Sequence, residues 1–348
     1  MNDAAGATPE RPVLVVGAGI SGLACARVLA DAGVPVRVLD RGRRVGGRMS
    51  GRRVETAVGT RVVDLGASYF TVSGSGGFAA QVADWQARGL AHPWTDTFAT
   101  ISGRADDGGG ITGSSSGPVR WGAGGGLRTL LDDLVEPPGR ERLDVVHGID
   151  VEAVDVGPDG PTADGRPAAA VVLAMPDPQA ADLLPRMVAS RLDVSARWNW
   201  RPCIAVYAAW PQRWWPDFHG AFVNDSDLLV FLGDDGSRRG DGAPVLVAHV
   251  APDVSSDHLD APAAIVPRVL AELGPLLGVP ATPEATWARA HRWSLASPLR
   301  QHTGASSGWD EVSRTGVCGD AWGERSKVQT AWESGTALGG DLAARFAR

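Results

Sequence analysis

Three glycines near the amino terminus have the spacing of a phosphate-binding turn. The segment Gly17-Ala18-Gly19-Ile20-Ser21-Gly22 follows the apolar run Val13–Val16, and the Ala- and Leu-rich stretch Ile20–Ala32 comes before Gly33. This context predicts a strand, a tight turn and a helix. The first glycine permits the turn, the second lets the backbone approach a pyrophosphate, and the third lets the helix pack closely. Unpaired amides at the helix start are suited to binding phosphate.

A carboxylate follows at the distance that a dinucleotide site requires. The apolar run Val36–Leu39 ends at Asp40, about 20 residues beyond the turn, where a carboxylate accepts hydrogen bonds from a ribose diol. The strand–helix–strand unit therefore predicts a bound dinucleotide. A glycine turn without a ligand is the alternative, and this motif alone does not choose between FAD and NAD.

The composition is that of a soluble globular protein. The 348 residues are 44% apolar and 21% charged, and the net charge of -7 contains no long block of one sign. We therefore expect two domains and neither nucleic acid nor membrane as a partner. The three cysteines and seven histidines show no metal-ligand spacing, so we expect no metal and no disulfide. No secretory signal or bilayer-spanning run is visible, which favours the cytoplasm.

The middle of the chain has a different character. Residues 101–117 are rich in Gly and Ser and are predicted to form a mobile loop. Residues 190–290 contain strand-like runs at 204–209, 228–232 and 245–250, which predict a second, sheet-based domain. Its tryptophans either line an aromatic substrate cavity or pack in the core, and core packing is the simpler interpretation for most: Trp198, Trp200, Trp210, Trp214, Trp215 and Trp287.

Several segments resemble motifs of the flavin-containing amine oxidase superfamily. Arg44-Val45-Gly46-Gly47-Arg48 resembles its RxGGR segment, and Val151-Glu152-Ala153-Val154 and the stretch from Val171 to Pro176 resemble two of its strands. The stretch from Asp64 to Thr71 resembles a DxGAxYFT segment of the renalase-like branch, as His291-Arg292-Trp293 resembles its HRW segment. Gly319-Asp320 with Lys327–Gly335 resembles the terminal GD…RVExAxxSG block. The resemblance covers nearly the whole chain.

This resemblance implies noncovalent FAD as the cofactor. Residue 40 is Asp and residue 329 is Gln where Glu is common, and Cys318 does not match the pattern that tethers flavin covalently. Asp and Glu can both accept hydrogen bonds from a ribose diol, so the change at residue 40 keeps this function. Any role of a carboxylate at residue 329 is lost. The implied cofactor-binding residues are Gly17, Gly19, Ile20, Ser21, Gly22, Asp40, Arg41, Gly47, Arg48, Gly66, Ala67, Ser68, Val151, Gly319, Asp320, Val328 and Gln329.

The resemblance also supplies candidate catalytic residues. Tyr69 is implied to lie near the flavin, as is the neighbouring Phe70. His291 is a candidate for orienting substrate or accepting a proton, with Trp293 beside it, and a structural histidine is the alternative. Lys327 would place a positive charge beside reduced flavin, and a surface lysine is the alternative. We predict Tyr69, His291, Trp293 and Lys327 as the catalytic set.

The expected fold is α/β. A Rossmann-type FAD-binding domain is predicted from residues 1–75, 120–188 and 294–348, and an inserted substrate domain of mixed β-sheet plus helices from 76–119 and 189–293. The implied activity is that of an oxidase, in which a small substrate passes hydride to flavin N5 and the electrons then pass to O2. The substrate is a dihydronicotinamide isomer for the renalase-like branch and an amine for the wider superfamily. A biosynthetic flavin desaturase or dehydrogenase and a noncatalytic dinucleotide sensor are the alternatives.

Overall fold

The computed structural model describes residues 6–103, 110–195 and 200–347. Its strands are β1 (Val13–Val16), β2 (Val36–Asp40), β3 (Gly51–Thr56), β4 (Gly59–Asp64), β5 (Phe70–Thr71), β6 (His92–Ser102), β7 (Ile111–Gly122), β8 (Asp144–His147), β9 (Val154–Gly157), β10 (Gly160–Ala163), β11 (Arg166–Pro167), β12 (Ala170–Leu173), β13 (Trp200–Ala209), β14 (Gly220–Asn224), β15 (Leu229–Asp234), β16 (Val245–Val250), β17 (Trp287–Pro298), β18 (Gly308–Asp310) and β19 (Thr315–Val317). Its helices are α1 (Ile20–Asp31), α2 (Gly77–Ala87), α3 (Arg128–Val135), α4 (Asp177–Leu183), α5 (Arg186–Arg191), α6 (Asp235–Arg239), α7 (Pro252–Asp257), α8 (Val266–Leu276) and α9 (Val328–Phe346).

The chain divides into two compact units. The first comprises Met1–Gly47, Leu130–Asn199 and Ser297–Arg348, and the second comprises Arg48–Thr129 and Trp200–Ala296. These bounds differ from the predicted domain limits, because residues 48–75, 120–129 and 294–296 lie in the second unit and residues 189–199 in the first. The cofactor and substrate roles given to the two domains stay predictions.

The first unit is built on a six-stranded sheet. Its strand order is β18-β19-β12-β1-β2-β8, and all neighbours are parallel except β18 and β19. The strands β1 and β12 are buried throughout, as expected for a parallel sheet covered on both faces. The predicted strand–helix–strand unit is confirmed by β1, α1 and β2.

Helices α1 and α9 cross at very short range in this unit. A Cβ added at Gly335 would clash with the backbone carbonyl of Ser21, and one at Gly339 would lie 2.8 Å from the carbonyl oxygen of Cys25. Only glycine therefore allows the two helices to approach this closely. The contact joins the amino-terminal motif to the last helix of the chain.

The second unit is built on an eight-stranded mixed sheet. Its order is β17-β13-β16-β15-β14-β6-β7-β5, with β14 and β6 parallel and a separate hairpin of β3 and β4. Aliphatic side chains of one sheet face form a core with helix α8, and the other face packs partly against Val54, Val63 and Leu65. The α/β fold with an inserted mixed sheet is thus confirmed.

Two features of this unit refine the expectations from sequence. The loop predicted at 101–117 is wrong for residues 101–102, which end β6, and for residues 111–117, which belong to β7 and pair with β6. Residues 104–109 lie outside the described residues. Trp210, Trp214 and Trp215 pack edge to face with ring centroids 5.5–5.6 Å apart. Because Trp210 and Trp215 are buried in the core, core packing accounts for this cluster. Trp198 lies outside the described residues.

Candidate cofactor site

The carboxyl ends of five parallel strands meet at one edge of the six-stranded sheet. Strands β1, β2, β8, β12 and β19 run in the same direction, so the residues at and just after their ends lie at the same edge. These residues include Gly17, Asp40, Ala174 and Gly319. Such an edge is where ligands bind in open α/β sheets. The first unit therefore brings together motifs from both ends of the chain.

The three glycines of the turn differ in their surroundings, and these differences match the different roles predicted for them. Gly17 has φ +110°, and a Cβ there would lie 2.5 Å from the carbonyl oxygen of Ala174. A Cβ at Gly22 would clash with the carbonyl oxygen of Gly17. A Cβ at Gly19, in contrast, would meet nothing within 4 Å. The first and third glycines are required by the fold, whereas the second leaves a space open.

This open space adjoins the start of helix α1. Gly19 is the N-cap residue, and no side chain in the described part of the chain caps the amides of the first turn, which begins with Ile20 and the buried Ser21. The Gly46 amide donates to the Ala18 carbonyl at 3.0 Å, and Gly47, with φ +51°, lies against Gly19. Uncapped amides beside an open glycine fit a pyrophosphate group.

The Asp40 carboxylate is held in place by backbone amides. Ala18 donates to Oδ2 at 2.6 Å and Gly42 donates to Oδ1 at 2.7 Å. A carboxylate offers about four lone-pair sites, so acceptor capacity remains for a ribose diol. The next side chain, Arg41, is exposed. Val151 is buried, and the amides of the two residues after it donate to Asp164 at 2.9 Å each.

The terminal block lies at the same sheet edge. The Gly319 amide donates to the Ser334 hydroxyl at 3.0 Å, and the Ser326 hydroxyl donates to the buried Asp320 carboxylate. Lys327 is the N-cap residue of α9, again without a side-chain cap, and its own side chain is exposed. In the first turn of α9, Val328 is half-buried, and the buried Gln329 donates to Glu333 at 2.7 Å.

The second unit holds the segment from Asp64 to Tyr69 by contacts at almost every residue. The Leu127 amide and the Arg238 guanidinium, 2.6 Å away, both contact the Asp64 carboxylate. The Leu65 carbonyl accepts from the Trp293 indole at 3.0 Å, and the Ala67 amide donates to the Arg48 carbonyl at 2.9 Å. The segment is therefore held by side-chain and backbone contacts at Asp64, Leu65 and Ala67.

Buried charge beneath this segment forms a connected network. Arg238 also pairs with Asp235 at 2.6 Å, and Asp235 in turn pairs with Arg239. Burial raises the pKa of Asp64, and Arg238 and the Leu127 amide partly oppose that rise. Within the same segment, Gly66 leaves no room for a side chain because a Cβ would clash with the Arg48 carbonyl. The Ser68 hydroxyl is buried without a hydrogen-bond partner among the described residues.

Tyr69 belongs to a group of rings that we call the aromatic surface: Tyr69, Trp94, Phe98, Phe222 and Phe231. The Tyr69 ring lies 5.2 Å from Phe98 and 6.4 Å from both Trp94 and Phe231, measured between centroids. The Arg120 guanidinium lies 3.8 Å from the Phe98 ring centroid. Phe222 is 40% exposed. Phe70, which the resemblance implies to lie near the flavin beside Tyr69, is buried against Phe78 and Trp121.

Three other predicted residues of the second unit are His291, Trp293 and Arg48, of which the first two contact each other. The rings of His291 and Trp293 are 4.5 Å apart, and burial, with the charge of Arg52, lowers the pKa of His291. The Arg48 guanidinium donates to the Ala296 carbonyl at 3.0 Å and lies over the Trp200 ring. These contacts place the side chains, and the catalytic and cofactor roles predicted for them stay predictions.

Two histidines were missed by sequence reasoning. His249 lies on β16, where burial lowers its pKa to about 4, and its Nε2 has no hydrogen-bond partner among the described residues. His302 lies beside the terminal block and approaches Asp177. Neither has a local signal, because each is a lone histidine whose partners are distant in the chain.

Other site types find little support in the described part of the chain. It contains no cluster of three or more His, Cys, Asp or Glu side chains able to hold a metal ion. None of its helices has the length and apolar character needed to cross a bilayer.

Comparisons with known proteins agree with this geometry. The model of the NAD(P)-binding Rossmann-like domain matches residues 15–84, and that of the flavin containing amine oxidoreductases matches residues 95–337. The chain belongs to the flavin-containing amine oxidoreductase family. It is accordingly an FAD-dependent oxidoreductase by family, and the superfamily implied by the motifs is confirmed.

Solved structures share the fold at low sequence identity. Cyclohexylamine oxidase from Brevibacterium oxydans IH-35A superposes with a TM-score of 0.73 at 15% identity, covering 98% of this chain and 100% of that one. Wild-type putrescine oxidase bound to putrescine gives 0.66 at 17% identity, covering 96% and 99%. A redesigned triple mutant of putrescine oxidase gives 0.71 at 17%, also covering 96% and 99%.

Proposed function

We propose that this family member binds FAD noncovalently and acts as an oxidase of small organic molecules, with O2 as electron acceptor. One observation carries the cofactor assignment. The open space at Gly19, the uncapped start of α1, the oriented Asp40 carboxylate and the Gly319-Asp320 block lie at one sheet edge. Flavin, when bound, supplies the hydride-accepting chemistry. The chain itself must bind it, orient the substrate and exclude water.

The cysteines support noncovalent binding. Cys25 and Cys318 are buried, and burial raises the pKa of Cys318 to about 12. Burial likewise raises the pKa of the half-buried Cys203 to about 12. A thiol kept protonated is a poor nucleophile. These three side chains are therefore unsuited to a covalent link with the cofactor.

The aromatic surface supports a planar substrate. Rings offer large apolar area with few rotatable bonds. Phe98 and Phe231 are buried, so the accessible part of this area is the exposed ring of Phe222 with the half-buried rings of Tyr69 and Trp94. The charged group packed on these rings is Arg120, which lies over Phe98 and 5.7 Å from the Tyr69 ring centroid. A fixed positive charge repels a protonated amine and attracts an anionic substrate. We therefore favour a dihydronicotinamide isomer, as in the renalase-like branch.

One alternative keeps specific support. The matching solved structures include cyclohexylamine oxidase and putrescine oxidase, so an amine substrate is the second candidate. A desaturase or dehydrogenase of a biosynthetic pathway uses the same cofactor site and a different acceptor. A noncatalytic dinucleotide sensor is disfavoured by the terminal block at the sheet edge.

The cofactor assignment is tested with Gly19→Ala. Because Gly19 has φ -80° and open surroundings, the methyl group should leave the apoprotein fold unchanged while occupying the phosphate space. We expect the FAD dissociation constant to rise at least about tenfold, with unchanged thermal unfolding of the apoprotein. Gly340→Ala, on an exposed face of α9, is the control. A colourless wild-type protein that fails to bind FAD would refute the proposal.

The substrate is tested by anaerobic mixing of the FAD-loaded protein with a panel. Rapid bleaching of the flavin band by dihydronicotinamide isomers, without bleaching by amines, is the expected result. Bleaching by amines alone would move the assignment to the second candidate, and bleaching by neither would favour the biosynthetic enzyme. Hydrogen peroxide release in air tests the role of O2.

A further inference from the structure

The loop between β19 and α9, residues 318–327, carries two predicted cofactor residues, Gly319 and Asp320. Inside the loop, the Trp322 amide donates to the Gly319 carbonyl at 3.2 Å, and the Ser326 hydroxyl donates to Asp320. These internal bonds shape the loop without fixing its place on the sheet edge. Its placement therefore depends on contacts with other segments.

One such segment is Gln301-His302. The His302 amide donates to the Ala321 carbonyl at 2.7 Å, and its ring stacks on Trp322 with centroids 3.6 Å apart and planes 4° from parallel. With its amide nitrogen turned to the loop, Gln301 reaches the carbonyl oxygens of Asp320 and Ala321 at 3.1 Å. The Gln301-His302 segment thus contacts both the backbone of the loop and its large aromatic ring, Trp322.

The His302 ring is in turn fixed by Asp177. Its Nε2 lies 3.1 Å from Asp177 Oδ2, and both side chains are buried. Asp177 is the first residue of α4, shortly after β12, the strand between β1 and β19. A second carboxylate, the exposed Asp193, lies 3.9 Å from Nδ1. The contact with Asp177 connects the loop to the centre of the sheet.

We propose that His302 and Asp177 are positioning residues that preorganise the 318–327 loop for the cofactor. This inference rests on the proposed FAD site. A buried carboxylate that loses its partner is costly, so removing the Asp177 side chain should loosen the His302 ring, and removing the His302 side chain should loosen Trp322. A loop that must be ordered during binding lowers affinity, because its entropy is lost at that step. The pair acts through Trp322 and the loop backbone.

The experiment compares FAD affinity with the stability of the apoprotein. His302→Phe keeps a ring for stacking and loses the Asp177 contact, and Asp177→Asn keeps the shape and loses the charge. His302→Gln keeps a hydrogen-bond donor. Asp144→Asn, which removes an exposed ion pair with Arg37 at the opposite, amino end of β8 in the same unit, is the matched control for Asp177→Asn. FAD dissociation constants are measured by flavin fluorescence, together with the absorption band shape and apoprotein thermal unfolding.

We expect His302→Phe and Asp177→Asn each to raise the FAD dissociation constant about tenfold, with His302→Gln intermediate. The double variant should be no weaker than either single variant, because both remove one contact. The control should stay within about twofold of wild type.

Three results would overturn the inference. The first is wild-type affinity in all His302 and Asp177 variants, and the second is an additive loss in the double variant. The third is a loss of apoprotein stability with unchanged affinity, which would indicate a structural role only. If the wild-type apoprotein does not bind FAD, the proposed function fails first and the inference fails with it.

Discussion

The two units fix their candidate site residues by different means. In the first unit, backbone groups and glycines do most of the positioning, as where Gly335 meets the Ser21 carbonyl or two amides orient Asp40. In the second unit, buried side chains do it, through the Asp64–Arg238 pair and the Trp293 indole. The first arrangement depends on the absence of side chains and the second on their charges and rings.

This difference decides how each site can tolerate change. Where close backbone contacts position a residue, adding a side-chain atom is destabilising. Where side-chain contacts position it, removing a partner is destabilising. Removing a charged partner is the more destabilising of these changes, because the remaining buried charge is then unpaired, which is strongly unfavourable. The comparison therefore predicts opposite kinds of damaging substitution in the two units.

The largest effect is expected at the helix crossing of the first unit. Gly335→Ala places a methyl group against the Ser21 carbonyl, so we expect the free energy of unfolding to fall by about 4 kcal/mol. Gly340→Ala lies on the same helix, where a Cβ meets nothing within 4 Å, and should stabilise the protein by up to about 1 kcal/mol. Urea unfolding of the apoprotein measures both. Equal effects of the two substitutions would contradict the close crossing.

The next effect tests the charge network of the second unit. Arg238→Met leaves Asp64 and Asp235 buried without this guanidinium, so we expect a loss of about 3 kcal/mol. Arg88→Met removes a pair with Asp84 on the surface of α2 and should change stability by less than about 0.5 kcal/mol. A mild effect of Arg238→Met, similar to that of Arg88→Met, would show that the network contributes little.

The same contrast explains what sequence reasoning could reach. The glycine turn and Asp40 were predictable because the backbone conformation at positions such as Gly17 dictates the residue type locally. The close crossing of α1 and α9 was consistent with the resemblance of the terminal block. In both cases, the signal is a short motif, and the described geometry follows it.

Side-chain partners distant in the chain could not be predicted in this way. Nothing near Asp64 indicates that Arg238 is its partner, and nothing near His302 indicates Asp177. The Gly/Ser composition of residues 111–117 predicted a loop, and this prediction was wrong because pairing with β6 outweighs the weak strand propensity of these residues. Tertiary contacts decided these features.

The smallest effect concerns His249, a half-buried side chain of the second unit whose buried Nε2 has no hydrogen-bond partner among the described residues. Burial lowers its pKa from 6.5 to about 4. Between these two values the unfolded chain binds a proton at this site and the folded chain does not, so the contribution of His249 to stability rises with pH. That contribution is complete above pH 6.5 and is lost as the pH falls toward 4.

We therefore compare wild type with His249→Gln, which cannot titrate in this range. The stability of wild type relative to the variant should fall by about 2 kcal/mol between pH 6.5 and pH 4, measured by urea unfolding at each pH. The lowered pKa of His291 acts in the same direction but cancels in this difference. A constant difference between wild type and His249→Gln would mean that His249 is hydrated, and that the second unit does not keep it neutral by burial.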